Sequence, residues 1–198
     1  KLVNADLSER YPSFWAYQPI RAEAIHSLHR VLMQNTVTGN TAVINRPLAK
    51  LAITLPATVH MHDWWVAVLA AAFGDATPIY QQLVLYRQHD ANVLGIVPEG
   101  HAKPGSKRYH HHPARLAAWE AAANMARALL AAYGDRLRPA QRRTAERFVA
   151  IDTSTSAFAR VANFLALRLY LFAGLRSTLA MLWLIADLPA ARRSIRGA

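Results

Sequence analysis

The chain has no cysteine, which excludes disulfides, thiolate chemistry and zinc sites of the Cys type. A reducing compartment fits that absence. Charge is also scarce: charged residues make up 18% of the 198 residues and hydrophobic ones 53%, too apolar a balance for a disordered chain. No apolar run reaches the roughly eighteen residues of a membrane span. The nearest candidate, residues 161–188, is interrupted by Arg168 and Arg176. No charged-then-apolar leader opens the chain, which starts at Lys1. Acidic residues thin out along the sequence. Residues 1–100 carry seven Lys or Arg against seven Asp or Glu, and residues 101–198 carry sixteen against five, so the whole net charge of +11 lies in the second half. Such a field suits an acidic partner: anionic lipid headgroups, phosphates or nucleic acid.

What is present has the length of one ordinary domain or two small ones. Abundant alanine favours helix. Residues 1–34 read as a loop with an aromatic cluster (Tyr11, Phe14, Trp15, Tyr17), then a helix over 22–33 carried by Ile25, Leu28, Val31 and Leu32. Thr38-Gly39-Asn40 breaks it with turn chemistry. The β-branched run 41–44 reads as a strand, and Arg46-Pro47 as the start of a short helix. Residues 63–73 read as a buried helix closed by Gly74. Residues 78–86 read as a strand, apolar on both faces at Leu83-Val84-Leu85-Tyr86, as in a sheet covered on both sides. Proline, glycine and four histidines mark 95–112 as an exposed loop. From residue 113 the chain reads as helical, over 114–133, 138–150 and 156–186. The expected organisation is an α/β half over 1–97, a linker over 98–112 and a basic, amphipathic helical tail over 113–198.

Three motifs carry chemistry. In M-H-D-W-W (61–65), Asp63 reads in two ways. It is a helix cap that accepts hydrogen bonds from free amides, or a general base beside tryptophan faces suited to sugar rings. In Y-R-Q-H (86–89), at the carboxyl end of the expected strand, Arg87 is suited to a diphosphate and His89 to a divalent metal. The alternatives are a surface ion pair and a loop histidine. In T-G-N-T (38–41), Gly39 permits close backbone approach to a ligand, and an ordinary turn explains the motif equally well. His110-His111-His112 reads as a solvated, weakly metal-adhesive patch rather than a specific site.

Taken together, Q-N-x-V-T-G-N-T, then M-H-D-W-W, then L-Y-R-Q-H-x-x-N-V-x-G resembles the acceptor-side half of inverting family-two glycosyltransferases of the bacterial rhamnosyltransferase type. It covers residues 35–95 closely and the flanks loosely. The resemblance implies a GT-A fold, with a Rossmann-like sheet between helices, and a nucleotide-diphosphate sugar donor. It further implies a glycan or lipid-linked acceptor in cell-surface polysaccharide synthesis, and Mn2+ or Mg2+ as cofactor. It places Asp63 as catalytic base and His89 near the metal and leaving diphosphate. Arg87 and Gly39 fall on the donor side. Trp64, Trp65, Thr38 and Asn40 fall on the acceptor side, with His62 in support. The family's D-x-D motif has no counterpart here, since no two aspartates are spaced by two. The expectation is therefore a truncated chain that lacks the donor half.

On a continuous helix over 156–186, Arg160, Arg168 and Arg176 step by about 80° each and share one side. Phe164, Leu167, Leu171, Leu175 and Leu182 take the other. That pattern fits a helix lying in an anionic membrane interface, as well as one packed on the core. The expected location is cytoplasmic, at the inner face of the cell membrane. The alternative function is a non-catalytic membrane-peripheral or nucleic-acid-binding basic helical module. Nucleic acid is not expected as a partner, because the basic half holds few aromatics to stack on bases and no known binding motif.

Overall fold

A computed structural model describes residues 1–18, 20–59, 61–88, 113–168 and 175–196, with side chains excepted at 113–114, 175–177 and 194–196. The described residues are mostly helical, with one small mixed sheet. Strands β1 (Leu2–Val3), β2 (Glu9–Tyr11) and β3 (Tyr86–Arg87) lie in the order β2-β1-β3. The β1–β2 pair is antiparallel and the β1–β3 pair is parallel. Leu7, with φ of 68°, turns the chain between β1 and β2. The Lys1 ammonium donates to the Val84 carbonyl at 2.9 Å, and the Gln88 N–H to Val3 at 2.8 Å, so the chain start is stitched to β3. Phe14 packs edge-on against Tyr86 at 5.7 Å, from helix α1 (Phe14–Tyr17).

Two strand expectations are corrected. Residues 78–86 form strand only at the last position. Ile79, Leu83 and Leu85 are 62%, 70% and 56% exposed, so the run is not covered on both sides. The physical reason is partnership: β1 offers two residues to pair with, and β-propensity without a neighbouring ladder does not make a strand. Residues 41–44 fail for the same reason. Gly39–Thr41 is a 3-10 turn, with the Thr41 N–H on the Thr38 carbonyl at 2.9 Å, and Val43 is wholly exposed. The described sheet is thus α/β in a loose sense only, and smaller than a Rossmann-like sheet.

The helical expectations fare better. A 3-10 turn at Ala22–His26 leads into α2 (Leu28–Met33). Helix α3 (Arg46–Ala52) has Pro47 in its first turn and is capped by Asn45, whose side chain accepts from the Leu48 N–H at 3.0 Å. Helix α4 (His62–Phe73) is followed by Gly74. Beyond the undescribed residues come α5 (Pro113–Tyr133), a 3-10 turn at Gly134–Arg136, and α6 (Pro139–Thr153).

The expected helix over 156–186 is two helices, α7 (Ala157–Ala166) and α8 (Leu175–Ala186), followed by α9 (Leu188–Arg196). Arg168 ends the first with a φ of 54°, the left-handed conformation that closes many helices. The continuous face of three arginines therefore does not form. Arg160 is 3% exposed and donates to the carbonyls of Ile185 (2.7 Å), Ala186, Ser154 (2.9 Å) and Thr155 (3.0 Å). The start of α7 thereby meets the end of α8, and the two helices run antiparallel.

One core joins both halves of the chain. Its buried residues include Leu32 from α2, Trp65 and Leu69 from α4, Trp119 and Leu129 from α5, Phe148 from α6, Phe164 from α7, and Leu184 and Leu188 near the end. Trp119 stacks on Phe148 at 5.6 Å, and Trp65 on Tyr133 at 6.3 Å. Each large apolar side chain so buried contributes about 2 kcal/mol. Residues 113–196 are thus half of the core rather than a separate tail. Three polar ties reinforce it. Gln141 accepts from the Arg138 N–H at 3.1 Å and donates to the Ala72 carbonyl at 2.5 Å. The Tyr133 hydroxyl donates to the Leu51 carbonyl at 2.6 Å. The buried carboxylate of Asp152 is held by Arg127 of α5 and Arg192 of α9.

Candidate functional site

M-H-D-W-W and the run that contains T-G-N-T meet around Asp63. Helix α4 begins one residue before it, so Asp63 sits in the first turn and Met61 is the cap residue. Its carboxylate is half-buried and accepts three N–H groups. Trp64 donates its backbone N–H to Oδ1 at 2.7 Å, which satisfies one free amide of the helix. Asn35 donates its side-chain amide to the same oxygen at 3.1 Å. Gly39 donates its backbone N–H to Oδ2 at 3.0 Å. A carboxylate offers about four lone-pair directions. With two donors on Oδ1 and one on Oδ2, one direction is left, on Oδ2.

Each donor is itself held. The Asn35 Oδ1 accepts the Val37 N–H at 3.0 Å, which fixes the amide with its NH2 toward Asp63. Gly39 is held by the 3-10 turn, in which Thr38 accepts both the N–H and the hydroxyl of Thr41, the latter at 2.8 Å. A Cβ on Gly39 would lie 3.1 Å from the His62 Nε2 and 3.4 Å from the Asp63 Cβ. The close approach expected of this glycine is therefore to the start of α4, not to a ligand. On the other side, the Trp64 indole N–H donates to the Val31 carbonyl at 2.6 Å and pins α4 to α2.

The structure redistributes the expected site residues. Asp63, His62, Gly39, Thr38 and Asn40 come together, with His62 and Asn40 exposed. Trp64 and Trp65 are 8% and 1% exposed. As sugar-stacking residues they are corrected: both rings fill the core, because α4 is apolar on nearly every side and its indoles are its largest apolar surfaces. Arg87 stands exposed on β3, on a different element from Asp63. His89 and the histidine-rich loop lie outside the described residues. Asn35 is the residue that reading for site chemistry passed over. Its signal was its place in the Q-N-x-V-T-G-N-T run, just ahead of the turn it helps to fold.

The expected metal ligand, His89, is not among the described residues. No group of three His, Asp or Glu side chains converges among them, and three of Asp63's four lone-pair directions are taken by N–H donors. What the arrangement supplies is a carboxylate fixed in orientation, with one lone-pair direction of Oδ2 untaken, beside a turn of polar residues.

No helix among the described residues is long and apolar enough to cross a membrane. Comparison with known proteins found no matching family model, no similar curated protein and no similar solved structure.

Proposed function

We propose that the chain is the acceptor-side part of an inverting glycosyltransferase of the GT-A type, with Asp63 as general base. The observation that carries the reading is the clamp on Asp63. Two motifs, whose contact residues stand 24 and 28 positions from Asp63, converge on one carboxylate and leave one lone-pair direction of Oδ2 untaken. A helix cap alone needs the Trp64 amide and no clamp from a distant turn.

In the reaction, an acceptor hydroxyl oxygen forms a bond to the anomeric carbon as the bond to the nucleotide diphosphate breaks. The electron pair leaves with the diphosphate and the hydroxyl proton passes to Oδ2 of Asp63. A carboxylate is too weak a base to remove the proton of an alcohol in advance. Proton transfer therefore accompanies bond formation, for which a fixed position matters more than basicity. Asn35 and Gly39 supply that fixity, and His62 and Asn40 lie exposed beside the carboxylate where an acceptor sugar approaches. Arg87, whose guanidinium suits two parallel hydrogen bonds to a diphosphate, is the residue for the donor.

The test is a panel of nucleotide-diphosphate sugars, rhamnose among them, offered with lipid-linked acceptors to the full-length enzyme that includes the donor half. The reading expects release of nucleotide diphosphate and a product whose anomeric configuration, read by NMR, is inverted. A retained configuration contradicts a single displacement on Asp63.

A further inference from the structure

Helix α7 is built inside out. Its one charged residue, Arg160, is 3% exposed, whereas Phe158 and Leu165 are 84% and 44% exposed. Ala157, Ala162 and Ala166 are exposed beside them. Phe158 and Leu165 stand seven residues apart and so lie on one line of the helix, about 100–120° around it from Phe164, which enters the core. The antiparallel neighbour α8 repeats the pattern. Its core residues are Leu184 and Ile185, and Leu179 and Trp183, one turn apart, are 55% and 42% exposed on the far side. Contiguous exposed apolar surface of this kind marks a docking site.

The charge around it indicates the occupant. Arg168 is exposed at the end of α7, and Arg147 reaches the same end to donate to the Ala166 carbonyl at 3.1 Å. An apolar face with an aromatic at its centre and cations at its edge matches an anionic lipid surface, where apolar side chains enter the headgroup boundary and arginines meet phosphates.

We infer that the outer face of α7 and α8, centred on Phe158 and Leu165, docks the protein on an anionic lipid bilayer. This is not the arginine-lined helix that periodicity suggested; it is a different face, made by folding Arg160 inward. It stands independently of the reaction proposed at Asp63.

The test is co-sedimentation of the full chain with vesicles of phosphatidylcholine mixed with phosphatidylglycerol, against phosphatidylcholine alone. The expected result is binding to the anionic vesicles that weakens with salt and falls about tenfold in Phe158→Glu/Leu165→Glu. Circular dichroism checks that the variant keeps its helices, and Phe158→Ser/Leu165→Ser repeats the test without added charge. Wild-type protein that ignores anionic vesicles, or folded variants that bind as well as wild type, overturn the proposal. So does a wild-type dimer that Phe158→Glu dissolves, since the face would then take a second copy of the chain.

Discussion

At the scale of single residues, the candidate site depends on who holds Asp63. Gly39 and Asn35 touch it from a turn, and neither is needed for the core. In Gly39→Ala the new Cβ meets the far end of the His62 ring, which can swing away. The melting temperature should therefore stay within about 2 °C of wild type, because surface substitutions of this sort cost about 0.5 kcal/mol or less. Turnover of the transferase should also stay close to wild type, because alanine keeps the backbone N–H on Asp63, whereas Asn35→Ala removes a donor and should lower turnover by about tenfold through kcat with KM little changed. A loss confined to KM would make Asn35 part of acceptor binding instead. M-H-D-W-W and T-G-N-T were both legible as motifs, but their contact was not. The sequence holds no sign that a turn 24 residues upstream donates to Asp63. It was equally silent on Trp64 and Trp65, since a tryptophan beside a carboxylate looks the same whether it faces a sugar or a core.

At the scale of elements, helices were legible and strands were not. Helix α4 announced itself by its apolar run and Gly74, and α3 by Asn45 and Pro47, all local signals. The strands expected at 41–44 and 78–86 depended on partners that a propensity pattern does not reveal. The break after α7 was hidden because Arg168, not glycine, takes the left-handed position. An L-residue there costs about 1 kcal/mol relative to glycine. Arg168→Gly is accordingly expected to raise unfolding stability by about 1 kcal/mol in urea denaturation; an unchanged or lower midpoint would contradict the assigned backbone.

Helix α2 carries a pH dependence. Burial, with the neighbouring Arg30 charge, holds the His29 pKa below its ordinary value of 6.5. The unfolded chain therefore binds a proton at His29 in a range where the folded chain does not. Stability falls as the pH drops from about 6.5 toward the lower folded value, and the loss is complete below it. His29→Gln should flatten that part of a stability-against-pH curve. An identical slope in wild type and variant would remove His29 as its source.

At the scale of the whole molecule, the division into an α/β half and a tail was drawn from composition and charge, and neither reports packing. Trp119, Phe148, Phe164 and Leu184 from the second half share a core with Leu32, Trp65 and Leu69 from the first. The fastening is ionic as well as apolar. Asp152, with its side chain 6% exposed, accepts from Arg127 and Arg192, and Arg192 also reaches Glu120 at 3.1 Å, so α5, α6 and α9 are tied at one point. Removing one partner of a buried pair leaves the others uncompensated. Asp152→Ala should cost about 3–5 kcal/mol. Chemical denaturation followed by tryptophan fluorescence measures it, and a cost under about 1 kcal/mol would show the network to be solvated.

The account turns on whether the clamped carboxylate does chemistry, and that is decided by measuring donor binding and sugar transfer side by side in Asp63→Asn of the full-length enzyme that includes the donor half. The substitution keeps the shape and removes the proton acceptor. Transfer should fall by about a thousandfold, within the range general-base catalysis supplies, while the donor binds as it does to wild type. Transfer at a rate close to wild type would leave Asp63 as a first-turn carboxylate of α4 and nothing more.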